Sequence, residues 1–414
     1  MNGAVPTGVD VAIVGGGMVG ASLALALSGT RLRVALIEAV RADAPGQSSF
    51  DDRTTALGNG SRRILQALGA WSLLATHVGP VREIQVSEAG AFGAARLRAA
   101  DQGLEALGYV VSNRQIGAAL WQLLATHSAL QLRVPARVHA VRFAASEVRL
   151  DLAAPDSVGA ETIAARVVVA ADGAQSLLAR SAGIGSVIED YHQVALVVHV
   201  STDRAAAGVA YERFTPSGPL AVLPLRDGRY TVVWTLRPER ANEVLALDDA
   251  VFTGQLQQCF GWRIGRIVGV GARAAYPLRL SRAASMQGPR LALVGNAAQS
   301  LHPVAGQGFN LGLRDAALLA EILAAAPDPG DPAVLEDYER RRAADRRGMI
   351  GFTDGLVHLF ANDRPAVAAA RSLGLQLFDL LPGAKRAMAR VSWGFGAQTP
   401  RLMRGLRADG GSPR

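Results

Sequence analysis

The chain opens on a short apolar run, Val9 to Val14, broken by Gly15-Gly16-Gly17. Apolar character resumes over a helix-length stretch, Met18 to Ser28, and returns in Arg33 to Glu38. Strand-length apolar runs on either side of a helix-length one predict a βαβ opening, with strands buried on both faces. Asn59 to Leu68 and Arg114 to His127 carry helical periodicity. Leu130 to Leu152 alternates instead (VHAVRF, EVRLDL), which predicts a small antiparallel excursion. Ala164 to Ala171 is continuously apolar, as a central parallel strand is.

From about Val187 to Val270 the pattern changes to strand-like runs (QVALVVHV, GVAYERF, LAVLPL, RYTVVW), then two helical stretches, Glu239 to Leu247 and Asp249 to Phe260. Arg290 to Gly295 is again a buried strand, and Gln307 to Ala325 a long helix. A second unit inserted into a first is therefore expected. Residues 1–183 and 281–330 would form one domain, 184–280 an antiparallel-sheet substrate domain, and 331–414 C-terminal helices with a basic tail. Pro332 to Asn362 reads as mostly helical, and its charges around Glu336 to Arg347 predict a solvated face.

Composition narrows the function classes. The chain has 414 residues, enough for two domains, and a single cysteine, Cys259, which excludes a disulfide framework or a multi-thiolate metal site. A net charge of +8 favours anionic partners. The arginines are spread along the chain and no zinc-finger, helix-turn-helix or RNA-recognition pattern occurs, so nucleic acid is not an expected partner. Val11 to Gly29 is nearly all apolar, but Asp10 abuts it, no Lys or Arg precedes it and three glycines interrupt it, unlike a signal peptide or a membrane span.

Three stretches carry candidate chemistry. The first is Gly15-x-Gly17-x-x-Gly20, between a strand and a helix, with Glu38 ending the next strand. Gly15 permits a tight turn, Gly17 lets backbone amides approach a pyrophosphate at the helix start, Gly20 permits close helix–strand packing, and Glu38 can hold ribose hydroxyls. The second, VVVAADGAQSLLAR, ends a strand at Asp172-Gly173. The third, LALVGNAAQSLHPVAGQGFNLGLRD, runs from a strand through a Gly-Asn turn and a Pro loop to Gly306-x-Gly308 at a helix start. The amides of Phe309 and Asn310 would face a ligand there, and the helix dipole would favour negative charge.

In this order and spacing the three stretches resemble the aromatic-ring hydroxylases, the single-component FAD monooxygenases related to para-hydroxybenzoate hydroxylase. The fold implied is α/β: an FAD-binding, Rossmann-like domain with an inserted antiparallel-sheet substrate domain and a helical C-terminal part. The resemblance places cofactor contacts on Asp172 and Gly173, on Gly295 and Asn296 beside the ribitol chain, and around Pro303. Asn296 stands where the family usually has Asp, and Gln299 where it has His. Arg53 and Asn113 are also implied near the cofactor. The runs FDDR, ERFTPSGPLAVLPLRDGR, FGWRIGRI and DGLVHLFAN are similar to one subgroup, the 2-polyprenyl-6-methoxyphenol hydroxylases of ubiquinone biosynthesis.

The resemblance implies a cycle in which NAD(P)H reduces FAD, O2 adds at flavin C4a to give a hydroperoxide, and one oxygen atom reaches the ring of a polyprenylated phenol. A sister hydroxylase acting at another ring position and a catabolic phenol hydroxylase are the alternatives, and a non-catalytic prenyl-lipid binder with the same fold is a distant one. No catalytic residue is assigned. His302 reads as a structural loop histidine, although it could accept a phenolic proton. A second pattern, Gly269 to Ala274, lacks the strand–turn–helix context because Tyr276-Pro277 stops any helix, so no separate nicotinamide fold is expected. Leu373 to Leu381 is apolar and precedes a basic flank. It reads equally as a membrane-surface anchor or as a core helix with a disordered tail, with docking to other ubiquinone-biosynthesis proteins as a third possibility. The protein is expected in the cytoplasm, with peripheral contact to the inner face of the membrane.

Overall fold

The computed structural model describes residues 7–41, 44, 51–90, 94–153, 161–301, 306–360, 365–395 and 399–411. Its first sheet runs, in spatial order, Gln287–Gly288, Leu291–Leu293, Glu161–Ala170, Thr7–Val14, Val34–Ile37 and Leu130–Arg133. Thr7–Val14 pairs in parallel with strands on both sides. Val11, Ala12 and Ile13 are fully buried, which is why that strand reads as an unbroken apolar run. The antiparallel strands Arg137–Phe143 and Val148–Ala153 extend Glu161–Ala170, as the alternation in that segment predicts.

Helices lock this sheet from its faces. Helix α1, Met18–Leu27, is buried from Gly20 to Leu27, as a helix apolar on every side must be. Helix α2, Asn113–Thr126, packs on α1. Helix α3, Gln307–Ala325, also packs on α1 and has the bounds expected from its period. Helices α4 (Pro332–Phe360), α5 (Pro365–Leu380) and α6 (Pro382–Ser392) follow.

The second sheet is mostly antiparallel. Its order is Gln299–Ser300, Ala274–Ala283, Ser186–Thr202, Tyr230–Leu236, Gly218–Pro224, Val209–Thr215, Glu83–Glu88 and Ala94–Arg98. Period-2 alternation divides its faces. Leu196, Val198, Leu220, Val222, Val232 and Trp234 form a separate core with Phe252, Leu256 and Phe260 of the helix Asp249–Phe260. The opposite face looks onto a cavity shared with the first sheet.

Five details depart from the expected organisation. The hairpin Glu83–Arg98 lies inside the expected block 1–183 but joins the second sheet, where Glu83–Glu88 pairs in parallel with Val209–Thr215. Such a pairing between short, half-buried strands far apart in sequence leaves no local signature. The strand Ala274–Ala283 likewise crosses the expected boundary at 280, and Gln299–Ser300 returns to the second sheet from within block 281–330. The charged segment of α4 is not simply a solvated face: Tyr338 and Arg342 are fully buried, and Arg342 is held by Asp315 and Asp345. The end of the chain is also docked. Leu402, Met403 and Ala408 belong to the first core, and the Arg401 amide donates to Glu321 Oε2 at 2.9 Å. Residues 399–411 are therefore neither a free anchor nor a disordered tail.

Candidate functional site

The glycine turn is built on close backbone contacts. Gly15 has φ +105°, and a Cβ there would lie 2.3 Å from the Ala171 carbonyl oxygen. A Cβ on Gly20 would lie 1.9 Å from the Gly15 carbonyl oxygen. Only glycine permits helix, turn and the Asp172 segment to meet so closely. Gly17 is the N-cap of α1, with no side chain capping it and no acidic residue in the first turn. The helix start thus presents its amides and positive dipole end unopposed. Glu38 anchors the turn: Oε2 accepts from the Gly16 amide at 2.5 Å and Oε1 from the Val40 amide at 2.9 Å. Trp121 of α2 donates to the Gly16 carbonyl at 3.0 Å, a support the motif did not reveal.

The second helix start repeats this geometry. Gly306 is the N-cap of α3 at φ 61°, again with no side-chain cap and no acid in the first turn. The Asn310 side chain is turned away from the cavity. Its Oδ1 accepts from the Gly58 amide at 3.0 Å and Ser61 Oγ at 2.6 Å, and its Nδ2 donates to the carbonyls of Ala56 and Gly306. Asn310 thus fixes where the helix begins. Gly306, Gly308 and Phe309 line the cavity.

Gly295 serves packing. It has φ 59°, and its Cβ would meet Val19 of α1 at 3.1 Å. Asn296 beside it is exposed and lines the cavity. Gln299 is buried and donates to Asp315 Oδ2 at 2.6 Å, while the Gly295 amide reaches the same oxygen at 3.3 Å. Asp315 Oδ1 accepts from Arg342 Nε at 2.7 Å. Asp345 bridges Arg342 and Arg314; burial pushes its carboxyl up, and the two guanidiniums outweigh that and hold it below the usual range. A buried ionic chain from α4 therefore sets the Gly-Asn turn. The sequence reading missed it because its members lie on separate helices.

Arg53 and Asn113 are brought together by Asp51. Arg53 Nε donates to Asp51 Oδ2 at 2.6 Å, Asn113 Nδ2 donates to Asp51 Oδ1 at 3.3 Å, and the Asn113 amide donates to the Arg53 carbonyl. The Arg53 guanidinium lies 4.6 Å from the centre of the Tyr276 ring on the second sheet. Pro303 and His302 lie outside the described residues. The Gly269–Ala274 pattern falls between two strands, Ile267–Val270 and Ala274–Ala283, where no helix opens.

These parts enclose one cavity of about 1740 Å³. That exceeds the roughly 300–1,000 Å³ of a site for one small ligand. One end is lined by Gly15, Gly17, Glu38, Asp172 and Gly173, the middle by Arg53, Asn113, Asn296 and Gly306 to Phe309. The far end lies between the second sheet and α4–α6, with Phe352, Leu356, Leu375 and Phe378 in its wall. Gly20, Gly295 and Asn310 stand behind the wall, holding its parts in place. Asp172 Oδ2 accepts from the Leu177 amide at 2.9 Å, and its Oδ1 is buried without a partner among the described residues. Burial pushes the Asp172 carboxyl up despite these amides. Two uncapped helix starts, a ribose-level carboxylate and an unsatisfied carboxyl oxygen in one wall fit an extended dinucleotide with a ring at its far end.

Comparison with known proteins agrees with that geometry. Residues 8–353 match the family described as FAD binding domain. Ubiquinone hydroxylase UbiL of Rhodospirillum rubrum is 40% identical over 405 residues, covering 96% of this chain and 93% of that protein. The 3-demethoxyubiquinol 3-hydroxylase of Escherichia coli is 34% identical, covering 93% of this chain and 98% of that one. Among solved structures, p-nitrophenol 4-monooxygenase from Pseudomonas putida shares the fold at a TM-score of 0.78 and 19% identity, covering 95% of this chain and all of that one. The chain belongs to the FAD-binding-domain family and is an FAD-dependent aromatic-ring monooxygenase that takes its reducing equivalents from NAD(P)H.

Proposed function

We propose that this enzyme hydroxylates the ring of a polyprenylated phenol, 2-polyprenyl-6-methoxyphenol, in ubiquinone biosynthesis, with O2 as the oxygen donor. The observation that carries this reading is the far end of the cavity, an apolar chamber between the second sheet and α4–α6 that continues from the dinucleotide end. Bound FAD supplies the reducing equivalents and the activated oxygen. The chain's own residues do the rest. The α1 amides after Gly17 hold the diphosphate, Glu38 the ribose, and Asp172 and Asn296 hydroxyl groups along the cofactor. The amides after Gly306 would hold the flavin ring, and the apolar chamber would orient the phenol and exclude water.

Helix α5 supports delivery from a membrane. Leu373, Leu377 and Leu380 recur at helical spacing on it and, with Leu381, stand 50–75% exposed, while Leu375 and Phe378 of the same helix line the cavity. Exposed leucines beside a lipid-substrate chamber fit peripheral contact with a bilayer. No helix among the described residues is long and apolar enough to cross one.

Quinone-lipid analysis of a strain lacking the gene tests the assignment. Accumulated 2-polyprenyl-6-methoxyphenol is the expected result; unchanged ubiquinone would overturn it. A sister reading, hydroxylation at another ring position, is favoured by the likeness to the 3-demethoxyubiquinol 3-hydroxylase. Accumulation of demethoxyubiquinol in the same strain would select it.

A further inference from the structure

The cavity wall contributed by the second sheet is mostly apolar; among the described residues Glu212 is its one acidic side chain, and Arg96, Tyr211 and Ser300 are its other polar ones. On Val209–Thr215, Ala210, Glu212 and Phe214 face the cavity, while Tyr211 packs into the second core and also borders the cavity. The cross-strand neighbours of Glu212 are Val86 and Ala221, both in the cavity wall. Alternation along this strand calls for an aliphatic side chain at this position, and a carboxyl group stands there instead. The other two acids in the wall, Glu38 and Asp172, lie at the dinucleotide end and each accepts a backbone amide. The Glu212 carboxyl has no hydrogen bond or ion pair among the described residues.

Its charged surroundings are few. On the neighbouring strand, Glu88 lies one pair further along, opposite Phe214, and is bonded to Arg371 of α5. Gly218–Pro224 presents only Ala221 and Leu223 to the cavity, and α4 presents Phe352, Leu356 and Leu359. Tyr109, Tyr211, Arg96 and the Glu88-bound Arg371 are the other titratable side chains in this part of the wall, and Arg213 turns to the opposite face, where it donates to the Cys259 carbonyl. Burial alone pushes the Glu212 carboxyl up to about 7, with no cation offsetting it. A carboxyl group poised near neutrality, unpartnered and open to a ligand chamber, has the properties of a proton acceptor.

We propose that Glu212 is a catalytic residue of this monooxygenase: its carboxylate takes the proton of the substrate's phenolic hydroxyl. The O–H bond of the phenol breaks, an O–H bond forms on a Glu212 oxygen, and the electron pair left on the phenol oxygen enriches the ring carbon that receives the oxygen atom. No electrons are exchanged in this step, and the proton returns to the ring oxygen when aromaticity is restored. The proposal rests on the phenol-hydroxylase reading above and adds the group that activates the phenol.

The test uses the FAD-loaded, full-length protein and a short-chain prenylated phenol, with Glu212→Gln compared to wild type. The wild type is expected to lose kcat/KM on the acid side of pH 7. Glu212→Gln is expected to lose that limb and to fall by about 10²–10⁴-fold, the usual contribution of a general base. Equilibrium binding supplies a second readout: the wild type should distinguish the phenol from its methyl ether, and Glu212→Gln should not. Formate added to Glu212→Ala should restore part of the rate, and FAD content equal to wild type shows that each variant has folded. Wild-type kcat/KM with the acid limb intact in Glu212→Gln would overturn the proposal and leave the hydroxylase reading standing. A wild type that consumes NAD(P)H but oxidises no prenylated phenol would overturn that reading, and this proposal with it.

Discussion

The two ends of the cavity are built on different principles. The dinucleotide end is made of backbone: glycines whose added Cβ atoms would strike carbonyl oxygens, and a helix start with no side-chain cap. The far end is made of side chains from a sheet face and three helices, mostly apolar, with Glu212 set among them. Backbone geometry is shared by every ligand with the same diphosphate, whereas a side-chain wall can be changed one residue at a time. The first end therefore carries what the family has in common and the second what distinguishes one substrate from another.

The sharpest way to break this comparison is at the junction. Arg342→Ala leaves the fully buried Asp315 without its guanidinium partner, and breaking such a pair costs about 3–5 kcal/mol. Urea unfolding should show that loss, together with weakened FAD retention, because Asp315 holds the Gly295 amide and Gln299. At the dinucleotide end, Gly20→Ala forces a methyl group onto the Gly15 carbonyl, overpacking that costs about 1–3 kcal/mol. The purified variant should be colourless; a flavin-to-protein absorbance ratio equal to wild type would refute the backbone-built view of that end.

At the far end the expected effects are smaller and depend on pH. The folded Glu212 carboxyl is raised to about 7 from the ordinary 4.5. Between those values the folded protein binds more protons than the unfolded chain, so the contribution of Glu212 to stability falls as pH rises and levels off above about 7. Glu212→Gln removes this slope. Its stability relative to wild type should rise from pH 4.5 to 7, and thermal unfolding across that range checks the sign. The smallest effect on folding is expected at α5. Leu377→Glu is half-exposed and should change stability by no more than about 0.5 kcal/mol, yet reduce flotation with anionic vesicles. Unchanged flotation would remove the membrane contact.

Legibility in the sequence followed the same division. The βαβ opening, the long helix Gln307–Ala325 and the helix Asp249–Phe260 could be read because each is locally periodic and bounded by glycine, proline or a capping residue. Asp248, for example, caps the last of these by accepting from the Val251 amide. Gly15, Gly17 and Glu38 could be named because the demands on a phosphate-binding turn are local, whereas Asp172 and Asn296 were implied only by the family resemblance. Asp51, Trp121 and Asp315 were not assigned roles, since each acts on a partner in another element. The charges of α4 misled for the same reason: a helix pattern gives the spacing of Arg342 and Asp345 but not that Asp315 and Arg314 lie opposite them.

The amino-acid order alone determined a dinucleotide-binding turn, the βαβ opening of the first sheet and the existence of a second antiparallel unit, because apolar periodicity and glycine turns depend on nearest neighbours along the chain, and the resemblance of its three motifs to a known family added FAD. Tertiary structure alone decided that the hairpin Glu83–Arg98 joins the second sheet, that residues 399–411 dock on the first core, and that Glu212 stands in the cavity wall. Each of these depends on pairing between segments distant in sequence, where the stabilisation comes from surfaces that meet only once the chain has folded.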